Sequence, residues 1–408
     1  MINHLGPVSR TALIEHTAYR PATVGAIVTE LEEQNLIVET GFHSSGQGRK
    51  RVLLEINKEH ICAIGIYFSA NHITYVLSQF DGTVIEQNRT RYSLDTPKKE
   101  LVGEVADYVA QLLKNYADKK FVGIGICKPL IDPTSYKGAK AEKTQSELFA
   151  GWVHDDLTPA LQKISSLPVD VFSGVTLPAQ AEYTFGVAKG VDNFIWVELS
   201  NGIGSSVFCN GDAVSGANGF AGELGHTGVD VGDNEHKFCY CGKPDCVEAL
   251  ASWPAIKENI VTELKRGVIS TLNETVTDPD ALTVEMVREA LDAGDRLCRY
   301  YVKKAAKKIG AAIANAVNLL NPRIIVLYGF MLDLGEYFYE NLEKAIRENA
   351  VFLTADFEIR ISTVSESIMP LGAAANMFYS YLRCNDYKWV YRLENDSSDA
   401  ISEAPFMY

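Results

Sequence analysis

Three cysteines fall within eight residues, Cys239-Tyr240-Cys241 and then Cys246. The other five, Cys62, Cys127, Cys209, Cys298 and Cys384, are scattered. One tight cluster in an otherwise reduced-looking chain reads as a metal site rather than a disulfide framework. Tetrahedral zinc binds thiolates at about 2.3 Å and needs a fourth N or S donor. Two histidines compete for that place. His226 lies thirteen residues before Cys239, and His236 lies inside that interval. Four protein donors leave no open coordination position, so such an ion is structural rather than hydrolytic.

A second set of residues can do electrostatic work. Gln47-Gly48-Arg49-Lys50-Arg51 gathers three positive charges beside a glycine-rich stretch. The surroundings make this notable. The 408 residues carry 38 Lys+Arg against 52 Asp+Glu, a net charge of −14. Such a chain binds nucleic acid or anionic membrane poorly unless positive charge is concentrated locally. Residues 1–60 hold six basic and seven acidic side chains, so that segment is close to neutral. Hydrophobic residues at 47% and charged residues at 22% describe an ordinary globular chain and exclude general disorder. No apolar run approaches the roughly 18–20 residues of a membrane span. The first residues lack the basic and apolar regions of a secretion signal, which predicts a cytoplasmic protein.

The elements that must position these groups begin at the N-terminus. Ser9 suits the cap of a short helix over Arg10–His16, with Ala12 and Leu13 facing inward. Pro21 suits the first position of a second helix, and Val24, Ile27, Val28 and Leu31 form one apolar stripe along it. Leu36–Thr40 reads as a strand, Gly41–Gly48 as a loop and Arg51–Ile56 as the returning strand. Two helices followed by a hairpin predict a winged helix-turn-helix with residues 47–51 at the base of the wing. The outer side of the second helix shows Thr23, Gly25, Ala26 and Thr29, with no Arg or Asn for bidentate base contacts. Specificity would then rest on Arg20, Thr23 and the wing, where Gln47, Arg49, Lys50 and Arg51 could meet phosphates or a minor groove. Beyond residue 60 the pattern is α/β. Strands are expected at Ile61–Phe68, Ile73–Gln79, Thr83–Glu86 and Phe121–Cys127, with a helix over Leu101–Tyr116. Further strands are expected at Asn193–Leu199, Ser205–Cys209 and Ile324–Leu327, with a long alanine-rich helix over Arg299–Leu320.

The whole arrangement resembles the ROK family (repressors, uncharacterised frames and kinases), over about Leu5 to Leu382. The most specific segment is Ala221-Gly222-Glu223-Leu224-Gly225-His226, followed by Cys239 to Glu248. Gly123-Ile124-Gly125-Ile126 before Pro129, Glu182 to Gly186, Gly202-Ile203-Gly204, Asn321-Pro322 and Gly372-Ala373-Ala374 also match. The resemblance implies a winged helix on a two-lobed, actin/hexokinase-like body. It divides the chain into 1–58, a first lobe over 59–173 completed by about 364–382, a second lobe over 174–363, and a tail over 383–408, part of it expected to be mobile. It implies that His226 completes a zinc site with Cys239, Cys241 and Cys246 and also faces a sugar. Glu223 and Glu248 would accept hydrogen bonds from that sugar's hydroxyls. It further implies a homodimer or tetramer on two-fold operator DNA.

The same comparison argues against catalysis. The kinases' first phosphate loop would occupy Gly65–Asn71, but Tyr67, Ser69 and Ala70 replace its acid and two of its glycines. The general base and its partner become Ser173-Gly174, and glycine cannot take a proton. The second phosphate loop reads Ser200-Asn201-Gly202-Ile203-Gly204, and the late glycine cluster reads Tyr328-Gly329-Phe330. Asp132 and Asp170 are poor substitutes for a base without a phosphate loop. The expectation is a transcription regulator, a repressor of carbohydrate-utilisation genes, with a catalytically dead body sensing a sugar or sugar phosphate. Loss of the Asn-Asp pair favours a phosphorylated sugar over free hexose. The rival is an ATP-dependent hexose kinase with an accessory N-terminal domain.

Overall fold

The computed structural model describes residues 2, 6–17, 19–43, 51–69, 72–92, 96–128, 156–173, 176–217, 219–230, 232, 236–276, 278, 281–354, 356–364 and 367–395. Gln47, Arg49, Lys50 and Asp132 lie outside these residues, as do Ala70, Asn71, Gly174 and the tail beyond Asn395.

The N-terminal elements are β1 (Val8–Ser9), α1 (Arg10–His16), α2 (Pro21–Glu33), β2 (Ile37–His43) and β3 (Arg51–Ile56). Ser9 Oγ accepts the Ala12 amide at 3.2 Å, the expected cap. Pro21 opens α2, where its missing N–H costs nothing. Val24 and Val28 are buried against Val8, Leu13, Ile37 and Leu54, which makes a small core of its own. Arg10 ties α1 to α2 through Glu32 at 2.7 Å. Two features depart from the sequence expectation. Val8 and Ser9 pair with Leu54 and Leu53, so β1 makes a three-stranded sheet of order β1-β3-β2. β2 also runs on to His43 rather than ending at Thr40, because a register shift between Glu39 and Gly41 lets the ladder continue against Leu53, Val52 and Arg51.

The body contains two five-stranded sheets. The first comprises β4 (Ile61–Phe68), β5 (His72–Gln79), β6 (Val84–Arg91), β7 (Lys120–Lys128) and β8 (Val169–Ser173), in the order β6-β5-β4-β7-β8. The second comprises β9 (Phe194–Leu199), β10 (Ile203–Cys209), β11 (Asp212–Ala213), β12 (Ile324–Tyr328) and β13 (Glu358–Ile361), in the order β11-β10-β9-β12-β13. Each sheet is an antiparallel meander whose first strand pairs in parallel with its fourth. The near-continuous burial of β4, β5 and β9 follows from their apolar runs. β6 extends five residues past the expected Glu86, to Arg91. Its alternating polar pattern fits an edge strand with one wet face.

Two compact units result. The first contains residues up to Cys127, the segment ending at Phe172 and the chain from Ala373; the second contains Ser173–Gly372. The chain re-enters the first unit at Gly372/Ala373. Packing explains the place. Ile368 is buried with the second unit's Phe194 and Trp196, whereas the Phe378 ring meets Phe80 of the first unit at 5.2 Å. Gly125 allows the close approach there, because a Cβ would stand 2.3 Å from Ala373 O. The closing helix spans Ile368–Asn395 and so continues past Leu382, where the tail was expected to begin. Among the described residues no helix is long and apolar enough to cross a membrane.

Candidate functional site

The cysteine-rich loop is built onto β10 in the second unit. A single 3-10 turn, Leu224–His226, lies across that strand. Gly222 has φ +99°, and its carbonyl oxygen accepts from Ser205 N at 3.2 Å and from Ser205 Oγ at 2.7 Å. A Cβ on Gly222 would fall 2.2 Å from Ser205 O, so only glycine lets the turn sit this low. The chain then leaves and returns as a small hairpin. Cys239 N bonds Lys243 O at 2.9 Å, and Asp245 N bonds Lys237 O at 2.9 Å. Gly228 bridges to Cys246, and Val247 N bonds Thr227 O at 3.0 Å. Cys246 stands at the start of a short helix, Val247–Ala251, whose first turn carries Glu248.

This closure gathers four donors. His226 and the three cysteines place ligand atoms within 4.8 Å of one another. His226 Nδ1 is 3.5 Å from Cys239 Sγ, and Cys241 Sγ is 3.6 Å from Cys246 Sγ. A tetrahedron with metal–sulfur bonds of about 2.3 Å has S···S edges of about 3.8 Å and N···S edges near 3.5 Å, so these two edges match a tetrahedral ion that the four donors could hold. Burial pushes the Cys246 thiol up to about 12 and also raises Cys239. Burial raises Cys241 too, but the Lys243 amide and the neighbouring thiols outweigh it and bring that thiol below its usual value. His236 is elsewhere. Its ring is 78% exposed, and Nδ1 lies 2.8 Å from Asp245 Oδ2.

His226 has two faces in this arrangement. Nδ1 points at the sulfurs, while Nε2 is 3.7 Å from Glu223 Oε2 and 3.2 Å from Tyr240 Oη. Lys243 Nζ donates to His226 O at 2.9 Å and so clamps the turn from outside. Glu248 Oε2 accepts the Ile203 amide at 2.9 Å. One carboxylate oxygen of Glu248 is thereby committed to the Ser200–Gly204 loop. In the same loop Ser200 N bonds Gly202 O at 3.0 Å. Glu198 titrates above the usual carboxylate value, through burial and the neighbouring Glu248 charge. Tyr240 and Lys243 escaped the sequence reading. Their only signal was their position between the cysteines.

The remaining expected positions are placed as follows. Arg20 is exposed at the cap of α2, Thr23 is half-buried on its first turn, and Arg51 is exposed at the start of β3. Tyr67 is half-buried near the end of β4, and Ser69 begins the turn into β5. Asp170 is exposed on β8. The Tyr328 ring stacks on Trp196 at 5.5 Å, and Phe330 packs against the second unit's core. Both rings are therefore half-buried in the core rather than standing clear of it.

The sequence profile described as the ROK family matches residues 63–377. The chain belongs to the ROK family. It is 29% identical to the xylose repressor of Caldicellulosiruptor bescii over 390 residues, covering 93% of this chain and 94% of the relative. It is 27% identical to the DNA-binding transcriptional dual regulator NagC of Escherichia coli K12, covering 86% and 84%. Among solved structures, a ROK family transcriptional regulator described as a homolog of the E. coli MLC protein superposes with a TM-score of 0.74. That match covers 93% of this chain and 96% of the other at 24% identity. A ROK hexokinase from Thermus thermophilus gives a TM-score of 0.62 at 22% identity, covering 80% and 99%. The body of this ROK protein thus has the mixed α/β fold that regulators and sugar kinases share.

Proposed function

We propose that this ROK protein is a DNA-binding transcription regulator, a repressor of carbohydrate-utilisation genes in the cytoplasm, whose kinase-like body senses a sugar or sugar phosphate. The observation that carries the reading is the N-terminal pair of helices with its antiparallel sheet, placed ahead of a ROK body. Repressor relatives matched along nearly their whole length support it. In this reading residues 1–58 form a winged helix. Arg20 at the cap of α2 and Thr23 on its first turn meet the major groove, while Gln47, Arg49, Lys50 and Arg51 meet phosphates or the minor groove.

His226 Nδ1, Cys239, Cys241 and Cys246 would hold one structural zinc ion, which supplies rigidity and no open coordination position. Glu223, the outward Nε2 of His226 and the uncommitted oxygen of Glu248 would bind the ring hydroxyls of the effector. The body is not catalytic. Tyr67, Ser69, Ala70, Ser173, Gly174, Ser200 and Asn201 stand where a ROK kinase needs its phosphate loops and base. A homodimer or tetramer would present two heads to a two-fold operator, and effector binding would change their spacing. Footprinting of purified protein on genomic fragments tests the reading. Protected sites of two-fold symmetry, released by a sugar or its phosphate, are expected. Sugar-dependent ATP consumption without DNA binding would establish the kinase instead.

A further inference from the structure

A group of cationic and hydroxyl side chains stands in the first unit, on β5 and β6 beside Ser69, which falls at the chain position of the kinases' first phosphate loop. Ser69 closes the β4–β5 turn, its amide bonding His72 O at 2.9 Å. Ser69 Oγ lies 2.6 Å from His72 Nδ1, and an Arg89 guanidinium N–H donates to the same nitrogen at 3.1 Å. In the β5–β6 ladder His72 is directly opposite Arg91, and Thr74 is opposite Arg89. Residues two apart share a sheet face, so His72, Arg89 and Arg91 converge on one side. Tyr92 donates its hydroxyl to Ser69 O and pins the turn.

We propose that Ser69, His72, Arg89 and Arg91 form an anion site that takes a phosphate group, either free phosphate or the phosphate of a phosphorylated sugar. Among the described residues neither arginine is ion-paired with a carboxylate. Two guanidiniums beside a half-buried imidazole repel one another until an anion sits between them. Guanidinium forks match phosphate oxygens bidentately, and Ser69 Oγ can turn to donate. Charged residues also guard edge strands against pairing. A guard, however, does not require one arginine to reach a half-buried histidine while a second stands directly opposite it. The field is felt there: burial and then both arginines hold His72 below its usual value. The chemistry differs from a glycine loop, which cradles a nucleotide with backbone amides. Side-chain cations around a hydroxyl suit a compact phosphate instead. The site uses none of Glu223, His226 or Glu248, so it goes beyond the sensing pocket proposed above.

Calorimetric titration of the full chain tests it with three probes: inorganic phosphate, glucose 6-phosphate and glucose. Saturable binding of inorganic phosphate or glucose 6-phosphate is expected. Arg89→Gln/Arg91→Gln should weaken it at least tenfold without lowering the melting temperature measured in phosphate-free buffer. Arg91→Gln alone, which leaves the Arg89–His72 contact in place, should weaken it severalfold. Tighter binding of glucose 6-phosphate than of phosphate identifies a phosphorylated sugar as the source; equal or weaker binding identifies free phosphate. Phosphate binding that the arginine variants weaken leaves this site standing whether or not glucose binds; glucose 6-phosphate binding that the variants leave unchanged belongs to the Glu223–Glu248 pocket and overturns this site. No saturable binding of either phosphate probe, or undiminished binding by the variants, overturns the proposal.

Discussion

Replacing Cys246 by serine should separate a metal-held loop from a merely packed one. Cys246 is fully buried, faces Cys241 Sγ at 3.6 Å and closes the loop against Thr227 through the next residue. Serine keeps the volume but is a poor zinc ligand. Binding to the folded state alone contributes about 4 kcal/mol when free metal stands a thousandfold above its dissociation constant. At about 2–4 °C per kcal/mol for a domain of this size, losing the ion should lower the melting temperature by roughly 8–16 °C. A buried hydroxyl without a partner costs about 1–3 kcal/mol by itself, so the size of the fall does not identify the ion. Chelation does. Scanning fluorimetry should show the wild type falling on chelation towards the variant, and the variant indifferent to chelator. Metal analysis should return one zinc per wild-type chain and none per variant chain. His236→Ala, which removes only the exposed contact to Asp245, should retain the zinc. A wild type that ignores chelator and carries no metal would refute the reasoning.

Replacing Arg49, Lys50 and Arg51 together with alanine should weaken binding to all DNA sequences about equally and flatten the salt dependence by about one unit per lost phosphate contact; fluorescence anisotropy over a salt series measures both. ATP should neither raise the melting temperature nor be consumed with any hexose, as a coupled ADP-release assay will show. Burial raises Glu182 above the usual 4.5, so the folded state binds the proton more tightly than the unfolded one. Its contribution to stability is then full below about pH 4.5 and lost as pH rises through the raised folded value. Glu182→Gln should remove this dependence in urea unfolding measured from pH 4 to 8. Ser9→Ala should cost about 0.5–2 kcal/mol through loss of the cap, and denaturant unfolding of the full chain reads that loss.

Local signals made much of this protein legible in its sequence. A cap at Ser9, a proline at the start of α2 and the Val24/Val28 stripe each act within one or two turns, and the helices form where those residues stand. The apolar runs of β4, β7, β9 and β12 were equally plain, because a strand buried on both faces has no other way to be written. The cysteine spacing announced a metal loop. The choice between His226 and His236, however, rested on where a loop of thirteen residues folds back. The structure draws His236 to Asp245 and His226 to Cys239, through backbone pairing of Gly228 with Cys246 that no spacing encodes. The same holds for β1, which exists only because Leu53 and Leu54 are there to pair with it. The convergence of Arg89 and Arg91 on His72 is a matter of strand register, seventeen or more residues apart in the chain. The crossing at Gly372 was decided by which core could bury Ile368 and Phe378. Residues within a turn of one another fix local structure directly. Contacts across the chain exist only after the whole has paid its loop-closure entropy, and a single sequence does not display which of them win.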